Sequence, residues 1–275
     1  MNKKSVTGHY NDTASVYNEL FYTSKKEYSP LIERQELMLD LLDNEVFSQK
    51  PRILDIGCGP GEMLVELSKR GSEIWGIDIS DEMIKLAKGK ISKKNESIHL
   101  ETGDIENLTF VDGFFDVVIA AGVIEYLEND TIWIKEISRV LKPNGILIIN
   151  ITNHYAVRRL TLSMVNRIKR NIMMRSIMNF IKSNIFRKGS INYFPFTPRT
   201  HSPFKFDVFL HRNGYTKIAH RYFDVSIFPY PFDTLFSFIV NRIRGIFRKY
   251  SSKNAVFFGC GYIVKVKKQQ SIGLT

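Results

Sequence analysis

The chain has 275 residues, a formal net charge of +11, 44% hydrophobic residues and two cysteines. This length and this apolar fraction allow a large packed core, which argues against a disordered or fibrous protein. Cys58 and Cys260 are too few for a disulfide framework, and there is neither an apolar run of about 18 residues nor a secretory signal, so we expect a cytoplasmic protein without a membrane-spanning helix.

From residue 52 onward, short apolar runs alternate with helical patterns, which is typical of a parallel sheet covered by helices. Ser80 is a predicted helix cap, because Asp81 and Glu82 follow it in the first turn. The runs FDVVIA and ILIIN lack polar alternation, as expected of strands buried on both faces. The predicted strands are RILDIG (52–57), EIWGID (73–78), SIHLETGD (97–104), FFDVVIAAG (114–122) and GILIIN (145–150), with a helix near 130–141 that ends at LKPNG. These patterns predict a doubly wound α/β sheet.

A glycine-rich turn joins the first predicted strand to a helix in the segment ILDIGCGPGEML (53–64). Gly57, Gly59 and Gly61 are spaced by two, so the backbone can turn tightly and approach a ligand closely. A dinucleotide-binding fingerprint requires glycine or alanine at position 62, where this chain has Glu62. No Gly-Lys-Ser/Thr sequence follows, so a P-loop is also excluded. The turn therefore predicts a cofactor-binding loop that is neither a dinucleotide fingerprint nor a P-loop. The alternative is a glycine turn that binds no ligand.

Two acidic residues follow the next two predicted strands. Asp78 ends the second strand, where a carboxylate can accept hydrogen bonds from both hydroxyls of a ribose. Asp104 follows the third strand, where it can accept from the exocyclic amine of an adenine. Both positions lie at the carboxyl ends of strands, where open α/β sheets bind their ligands. Together with the D-x-G-x-G-x-G turn, these acids resemble the cofactor site of the class I S-adenosylmethionine-dependent methyltransferases.

The resemblance covers residues 45–151 best, and it implies a Rossmann-like, seven-stranded sheet whose last strand is antiparallel. HSPFKFDVFLHRNGYTKI (201–218) resembles the helix and turn before the sixth strand of that family, and AVFFGCGYIVKVKK (255–268) resembles its last strand. Small-molecule enzymes of the quinone-biosynthesis type are the most similar in motif style. The implied cofactor is S-adenosylmethionine.

The resemblance also implies roles for individual residues at the cofactor. The glycine loop packs against the methionine part, and Asp55 helps to orient the ammonium group. Asp78 holds the ribose, while Gly103 and Asp104 contact the adenine. The implied cofactor contacts are Asp55, Gly57, Cys58, Gly59, Gly61, Asp78, Ile79, Gly103, Asp104, Ile105 and Ala120.

The acceptor pocket is predicted from the loop after the fourth strand and from the N-terminal segment. Some quinone O-methyltransferases bind a divalent metal through Glu-x-x-Glu-His in that loop, but residues 121–126 read AGVIEY, so we expect no metal. Glu125 and Tyr126 are expected to border the acceptor. Tyr17 and Tyr22 are expected to join them, because the N-terminal segment of this family often folds over the cofactor.

The candidate catalytic residues are His154, His201 and Tyr126. Methyl transfer from a sulfonium has an activated leaving group, so a general base is needed only when the acceptor must lose a proton. Histidine suits that role near neutral pH, and connectivity favours His154, just beyond the fifth strand, and His201, before a helix expected to start at Ser202-Pro203. The alternatives are a loop histidine without chemistry and, for Tyr126, a place in the pocket wall.

The charge is divided unequally along the chain. Residues 1–150 carry 17 Lys and Arg and 25 Asp and Glu, whereas residues 151–275 carry 22 Lys and Arg and three Asp. The second part also holds 22 of the 34 aromatic residues, so two regions with different roles are predicted. The predicted organisation is an N-terminal helical lid segment (1–45), the cofactor-binding core (46–153), a basic helical insertion (154–200), and the C-terminal part of the sheet (201–275) with a basic amphipathic insertion at about 229–254.

Three interpretations of the basic region remain open. The two helical insertions only cover the sheet, or they form a lid for an amphipathic or anionic acceptor that an anionic membrane surface could hold, or they bind nucleic acid. Nucleic acid is the least favoured, because no RNA-binding module is recognisable. The sequence therefore predicts a methyltransferase acting on a small or lipid-like acceptor, with oxygen as the favoured atom. An RNA methyltransferase and a non-catalytic cofactor-binding scaffold are the alternatives.

Overall fold

The computed structural model describes residues 3–19, 29–91, 97–159, 161–162, 198–225, 238–242, 245 and 255–270. The helices are α1 (Lys3–Asn18), α2 (Pro30–Asp43), α3 (Glu62–Ser68), α4 (Asp81–Lys90), α5 (Asp130–Val140) and α6 (Pro203–Arg212), with a 3-10 turn at Ile124–Tyr126. The strands are β1 (Arg52–Ile56), β2 (Glu73–Asp78), β3 (Ile98–Thr102), β4 (Phe115–Ala120), β5 (Leu141–Thr152), β6 (Tyr215–Val225) and β7 (Gly259–Lys268).

The seven strands form one sheet in the order β3-β2-β1-β4-β5-β7-β6. The strands from β1 to β5 pair in parallel, and β7 is antiparallel. The predicted Rossmann-like sheet with an antiparallel last strand is confirmed. Because the winding direction reverses between β1 and β4, the loops after these strands separate and leave a crevice at their carboxyl ends.

The core is centred on β1. Leu54 pairs with Trp75 of β2 on one side and with Val118 of β4 on the other. Leu54 and Val118 are fully buried, as are Ile148 and Ile149 of β5. Strands covered by helices on both faces need apolar side chains on both faces, so the unbroken apolar runs predicted these strands correctly.

The beginning of β5 differs from the sequence prediction. The helix was predicted to end at LKPNG and the strand to begin at Gly145, but β5 begins at Leu141, which pairs with Phe115. The next pair joins Val117 to Ile146, so the residues between form a bulge in which Asn144 has a φ of 63°. The prediction was wrong because proline and glycine usually indicate a turn, whereas a bulge keeps both flanks in the ladder.

The N-terminus of α4 is capped as the sequence predicts. The Ser80 hydroxyl accepts a hydrogen bond from the Met83 amide at 3.2 Å, and Asp81 and Glu82 lie in the first turn. The same hydroxyl donates to Asn11 Oδ1 of α1 at 2.7 Å. This contact attaches α1 to the helix that follows Asp78.

The chain divides into two compact units. The first unit comprises Met1–Ile151, Phe204–Arg221 and Ile263–Thr275, and the second comprises Thr152–Pro203 and Tyr222–Tyr262. The first boundary lies close to the predicted end of the core at residue 153, whereas the predicted C-terminal part contributes to both units. No helix in the described part of the chain is long and apolar enough to cross a membrane.

Most of the two predicted insertions lies outside the described residues. The insertion at 154–200 is described only at 154–159, 161–162 and 198–200, and the one at 229–254 only at 238–242 and 245. The helical structure predicted for the insertion at 154–200 and the predicted substrate lid are therefore still predictions.

Candidate functional site

The glycine loop between β1 and α3 has the conformation that its spacing predicts. Gly57, Gly59 and Gly61 have φ angles of 69°, 52° and 90°, in the left-handed region that favours glycine. The amides of Gly57 and Cys58 donate to the carbonyl of Ile77 at 2.8 and 3.0 Å. These bonds attach the loop to the end of β2.

The three glycines differ in what a side chain would meet. A Cβ at Gly57 would collide with Val123, and one at Gly61 would lie 3.1 Å from the Cβ of Ala87. A Cβ at Gly59 would have no heavy atom within 4 Å. The packing of the protein itself therefore requires Gly57 and Gly61 to be small, whereas Gly59 borders open space that a ligand can occupy.

Asp78 lies against this open space. Its Oδ2 accepts a hydrogen bond from the Gly59 amide at 2.9 Å, and its Oδ1 accepts from the Ser80 amide at 2.9 Å. Burial raises the pKa of Asp78, and the amides of Ser80, Gly59 and Ile79 oppose that rise. The carboxyl group is thus fixed between the glycine loop and the start of α4, as the predicted ribose contact requires.

Asp55 is buried at the end of β1 with only 1% of its surface exposed. Its Oδ2 is also buried and accepts no hydrogen bond within the described residues. Burial raises the pKa of Asp55 to about 8, while the Arg34 guanidinium lowers it and the Asp78 carboxylate raises it further. A buried carboxyl oxygen without a donor is costly, so this position fits a cationic ligand group such as an ammonium.

Arg34 of α2 reaches into the same site, although the sequence analysis did not single it out. A Cβ at Gly122 would collide with its guanidinium, which places that group against the loop after β4. Its charge lowers the pKa values of Asp55, Tyr17 and Tyr126, so it lies within electrostatic reach of all three. Arg34 is therefore a candidate partner for an anionic ligand group.

Asp104, which is predicted to contact the adenine, forms a salt bridge with Lys3, a residue that the sequence did not indicate as part of the site. Asp104 Oδ1 accepts from the Glu106 amide at 2.9 Å, and Oδ2 accepts from Lys3 Nζ at 2.7 Å. Lys3 also pairs with the Glu106 carboxylate. Nearby, the Gly103 amide donates to the Asp78 carbonyl at 3.0 Å. The first turn of α1 therefore lies against the residues predicted to contact adenine.

The remaining predicted cofactor residues belong to the same unit. Cys58 is buried in the glycine loop, and burial raises the pKa of its thiol. Ile79 follows Asp78 directly, and Ile105, which follows Asp104, is 4% exposed. Ala120 ends β4, where it is 1% exposed and pairs with Ile56 at the end of β1. The structure thus places all eleven predicted residues around the carboxyl ends of β1 to β4.

Three of the four predicted pocket residues lie together with Tyr10 of α1. The Tyr10 ring packs edge to face on Tyr126 and Tyr17, with centroid distances of 6.0 and 6.1 Å. Glu125, beside Tyr126 in the 3-10 turn, is 7% exposed. Tyr22, the fourth predicted residue, lies outside the described residues.

The buried tyrosines are suited to donating protons rather than accepting them. The Tyr10 and Tyr126 hydroxyls share a hydrogen bond, and burial is the main cause that raises the pKa values of both groups. Burial likewise raises the pKa of Tyr17 to about 12. All three hydroxyls are therefore protonated at neutral pH, which favours a positioning role for Tyr126 over a role as general base.

Asn150 fixes the loop that carries Glu125 and Tyr126. It is 2% exposed in β5, and its Oδ1 accepts a hydrogen bond from the Gly122 amide at 2.7 Å. Gly122 has a φ of 76°. The sequence did not single out this asparagine as part of the site, because an isolated polar residue in an apolar strand does not reveal its partner.

The two candidate catalytic histidines lie next to each other in the second unit. His154 donates its amide to the His201 carbonyl at 2.9 Å, and its exposed ring lies 3.2 Å from the Thr200 hydroxyl. His201 Nε2 lies 2.9 Å from Arg199 Nη2. Because arginine stays protonated, Arg199 is the donor and Nε2 the acceptor. The lone pair that a general base would use is therefore engaged at His201.

Among the described residues, no group of three or more His, Cys, Asp and Glu side chains is placed to hold a metal ion.

Comparison with known proteins agrees with this geometry. Residues 54–149 match a family model described as a methyltransferase domain. The match runs from β1 to β5 and includes the glycine loop, Asp78 and Asp104. Residues 54–149 are therefore a class I, S-adenosylmethionine-dependent methyltransferase domain. S-adenosylmethionine is the cofactor of this domain, and the buried acid at Asp55 and the open space at Gly59 fit it.

Two relatives of this methyltransferase domain are an N-methyltransferase and an O-methyltransferase. The norajmaline N-methyltransferase of Rauvolfia serpentina is 37% identical over 106 residues, which are 37% of this chain and 36% of that protein. The ubiquinone biosynthesis O-methyltransferase of Dechloromonas aromatica is 26% identical over 134 residues, which are 48% of this chain and 58% of that protein. The chain thus spans only about a third to just over half of these relatives.

A solved structure extends the likeness of the methyltransferase fold to nearly the whole chain. The magnesium protoporphyrin IX methyltransferase of Synechocystis PCC 6803, solved with bound S-adenosylhomocysteine, has a TM-score of 0.61 and covers 97% of this chain and 99% of its own. At 16% identity this comparison shows a shared fold.

Proposed function

We propose that the protein transfers the methyl group of S-adenosylmethionine to a small or lipid-like acceptor, at an oxygen atom. The observation that carries the proposal is the fixed Asp78 carboxyl group beside the open space at Gly59, within the methyltransferase domain. The cofactor supplies a methyl group that is already activated on a sulfonium. The work left to the protein is to hold both reactants and to exclude water.

Four charged side chains provide complementary partners for the cofactor. Asp78 accepts from the ribose hydroxyls, and Asp104 accepts from the adenine amine. Asp55 supplies a buried anion for the ammonium group, and Arg34 supplies a cation for the carboxylate. The opposite charges of Asp55 and Arg34 match the two charges of an amino acid, which supports this assignment.

The acceptor proposal rests on the tyrosine cluster of Tyr10, Tyr17 and Tyr126. These rings offer a large apolar surface with hydroxyl groups that can orient an oxygen function. The similarity to a ubiquinone biosynthesis O-methyltransferase supports oxygen as the acceptor atom. The similarity to norajmaline N-methyltransferase supports nitrogen as the second candidate.

Calorimetric titration with S-adenosylhomocysteine tests the cofactor site. Asp78→Asn removes the charge that accepts from Gly59, Ser80 and the ribose, so we expect the affinity to fall by about tenfold to a hundredfold. Asp81→Asn is the matched control, because Asp81 is an exposed acid three residues after Asp78. The affinity of this variant for S-adenosylhomocysteine should equal that of the unaltered protein. Absence of binding to the unaltered protein overturns the proposal.

An acceptor screen tests the reaction itself. Release of S-adenosylhomocysteine is followed with phenols, quinone precursors, fatty acids, lipid-linked sugars, amines and RNA. We expect turnover with an oxygen acceptor; a methylated amine supports the nitrogen candidate, and methylated RNA supports the RNA methyltransferase. Cofactor binding without turnover on any acceptor would identify a non-catalytic scaffold.

A further inference from the structure

We propose that the second unit docks on an anionic lipid surface. The first observation is its charge: residues 152–203 and 222–262 contain 15 Lys and Arg but only two acids, Asp224 and Asp233. Such an excess of one sign exceeds what a solvated face needs, and it produces a strong positive potential. The complementary surface is negatively charged.

Asp224, the one acid of the second unit that the structure describes, is buried and so does not offset the positive potential at the surface. Asp224 is 9% exposed, and its Oδ2 accepts from Arg158 at 3.0 Å. Arg159 and Arg242, in contrast, are exposed. The described surface of the second unit therefore presents cations while its one described acid is buried in an ion pair.

The second observation is the exposure of large apolar side chains beside these cations. Phe238 is 77% exposed and Ile239 is 51% exposed, in the helical residues 238–242 that also carry Arg242. Phe257, in the same unit, is 57% exposed. Helices that lie in a membrane interface combine apolar side chains with Lys and Arg in this way. The two features together fit the boundary between lipid headgroups and acyl chains.

A lipid surface can interact with both the cations and the exposed apolar side chains, whereas RNA interacts fully only with the cations. The cations would be drawn to the negative surface potential of an anionic leaflet, and Phe238 and Ile239 would enter its apolar boundary. RNA would engage the cations, and Phe238 could stack on a base, but Ile239 has no aromatic face to offer. An anionic bilayer is therefore the better match.

Sedimentation of the full chain with lipid vesicles tests this proposal. The two vesicle types are phosphatidylcholine alone and phosphatidylcholine with phosphatidylserine. We expect at least about tenfold stronger binding to the anionic vesicles, falling as salt is added. Equal binding to both vesicle types, or no binding, would overturn the proposal.

Paired variants identify the docking residues. The double variant Phe238→Ser, Ile239→Ser should weaken vesicle binding by about tenfold, because both side chains lose their contact with the apolar boundary. Arg242→Glu should weaken it about fivefold or more at low salt and little at high salt. The matched control is Phe204→Ser, Val208→Ser on α6 of the first unit, where the exposures are 62% and 50%. Equal losses in the control would overturn the assignment to the second unit.

Two further measurements separate this proposal from the others. The affinity for S-adenosylhomocysteine, which reports on the first unit, should be unchanged in all of these variants, and circular dichroism should show that they are folded. An RNA of mixed sequence is added to the vesicle assay at physiological salt. Tight RNA binding that abolishes sedimentation with anionic vesicles would overturn lipid docking in favour of nucleic acid.

Discussion

The two units of the protein present opposite electrostatic surroundings. In the first unit, the buried acids Asp55 and Glu125 and the half-buried acid Asp78 lie around the crevice at the sheet edge, with Arg34 as a nearby cation. In the second unit, 15 Lys and Arg accompany two acids. The net charge of +11 is therefore the sum of the different charges of the two units. Only the charge of each unit indicates which ligand that unit binds.

This difference follows the chemistry of the expected ligands. S-adenosylmethionine carries a sulfonium and an ammonium, so a site rich in carboxyl groups attracts it, and the one arginine suits its one carboxylate. An anionic surface would be repelled by such a site and attracted by the second unit. The lesson is that the overall charge of a chain is a poor guide to its ligand when the charge is divided between two units.

The largest expected effect comes from filling the open space in the first unit. Gly59→Val places a branched side chain where a Cβ meets no protein atom, so it should weaken S-adenosylhomocysteine binding more than about a hundredfold while leaving the core packed. Gly71→Val is the matched control, because Gly71 has a φ of 72° and also has open space around a Cβ. Both variants bear the strain of a left-handed residue.

Calorimetric titration and thermal unfolding separate the two effects of that substitution. Both variants should lower the Tm by a similar few degrees, because the backbone cost is similar. Only Gly59→Val should lose cofactor affinity. Normal affinity in Gly59→Val would show that the space beside Gly59 is not where the cofactor binds.

The parts of this site that the sequence predicted are those encoded locally. The spacing of Gly57, Gly59 and Gly61 and the position of Asp78 at a strand end are properties of neighbouring residues. Short-range rules therefore located the loop and the acid Asp78 beside it, and the strand limits of β1, β2 and β4 agree with the apolar runs. The family comparison adds the reaction class to what these motifs indicate.

The parts that the sequence did not predict depend on how distant helices dock. Lys3 meets Asp104 across about a hundred residues of sequence, and no periodicity predicts such a contact. The helix that bears Arg34 is fixed by Lys265 of β7, which is 2% exposed and donates to the Leu41 carbonyl at 2.7 Å. A lysine in a strand pattern gives no sign of a partner at the end of a helix.

The histidines show a second kind of property that the sequence does not predict. Chain connectivity placed His154 just beyond the fifth strand and His201 just before a helix, which is correct, and made both candidates for catalysis. The state of a base, however, depends on its neighbours in space, and the Arg199 guanidinium donates to His201 Nε2. Hydrogen-bond partners of this kind are set by the fold and not by the spacing of residue types.

The next effect tests whether Arg34 pairs with the carboxylate of the cofactor. Arg34→Ala should weaken S-adenosylhomocysteine binding by about tenfold to a hundredfold, because the methionyl carboxylate loses a charged partner in a buried site. Arg34→Lys should recover part of the loss, since the charge returns without the planar fork. Arg70→Ala is the control, because Arg70 pairs with Asp43 on the outer surface of the same unit. Equal losses for Arg34→Ala and Arg70→Ala in the same titration would contradict the role.

Another expected effect is a pH dependence that the buried acid Asp55 of the first unit should produce. The pKa of Asp55 is raised from 3.8 to about 8 in the free protein, chiefly by burial, so the group is protonated at neutral pH. A bound ammonium favours the ionised carboxylate, so binding should release a proton below pH 8. The affinity should therefore rise with pH by up to about tenfold per unit between pH 6 and 8, and level off above.

Stability has the opposite dependence on pH at this residue. Between pH 4 and 8 the folded protein binds a proton at Asp55 that the unfolded chain releases, so the free energy of unfolding contributed by this group falls as the pH rises through that window. Asp55→Asn has no proton to lose and should remove both dependences, whereas Asp116→Asn, at the salt bridge with Lys142, should keep them. Titrations in buffers of different ionisation enthalpy count the released proton, and thermal unfolding across the same pH range measures the stability. A pH dependence that survives in Asp55→Asn would assign the proton to another group.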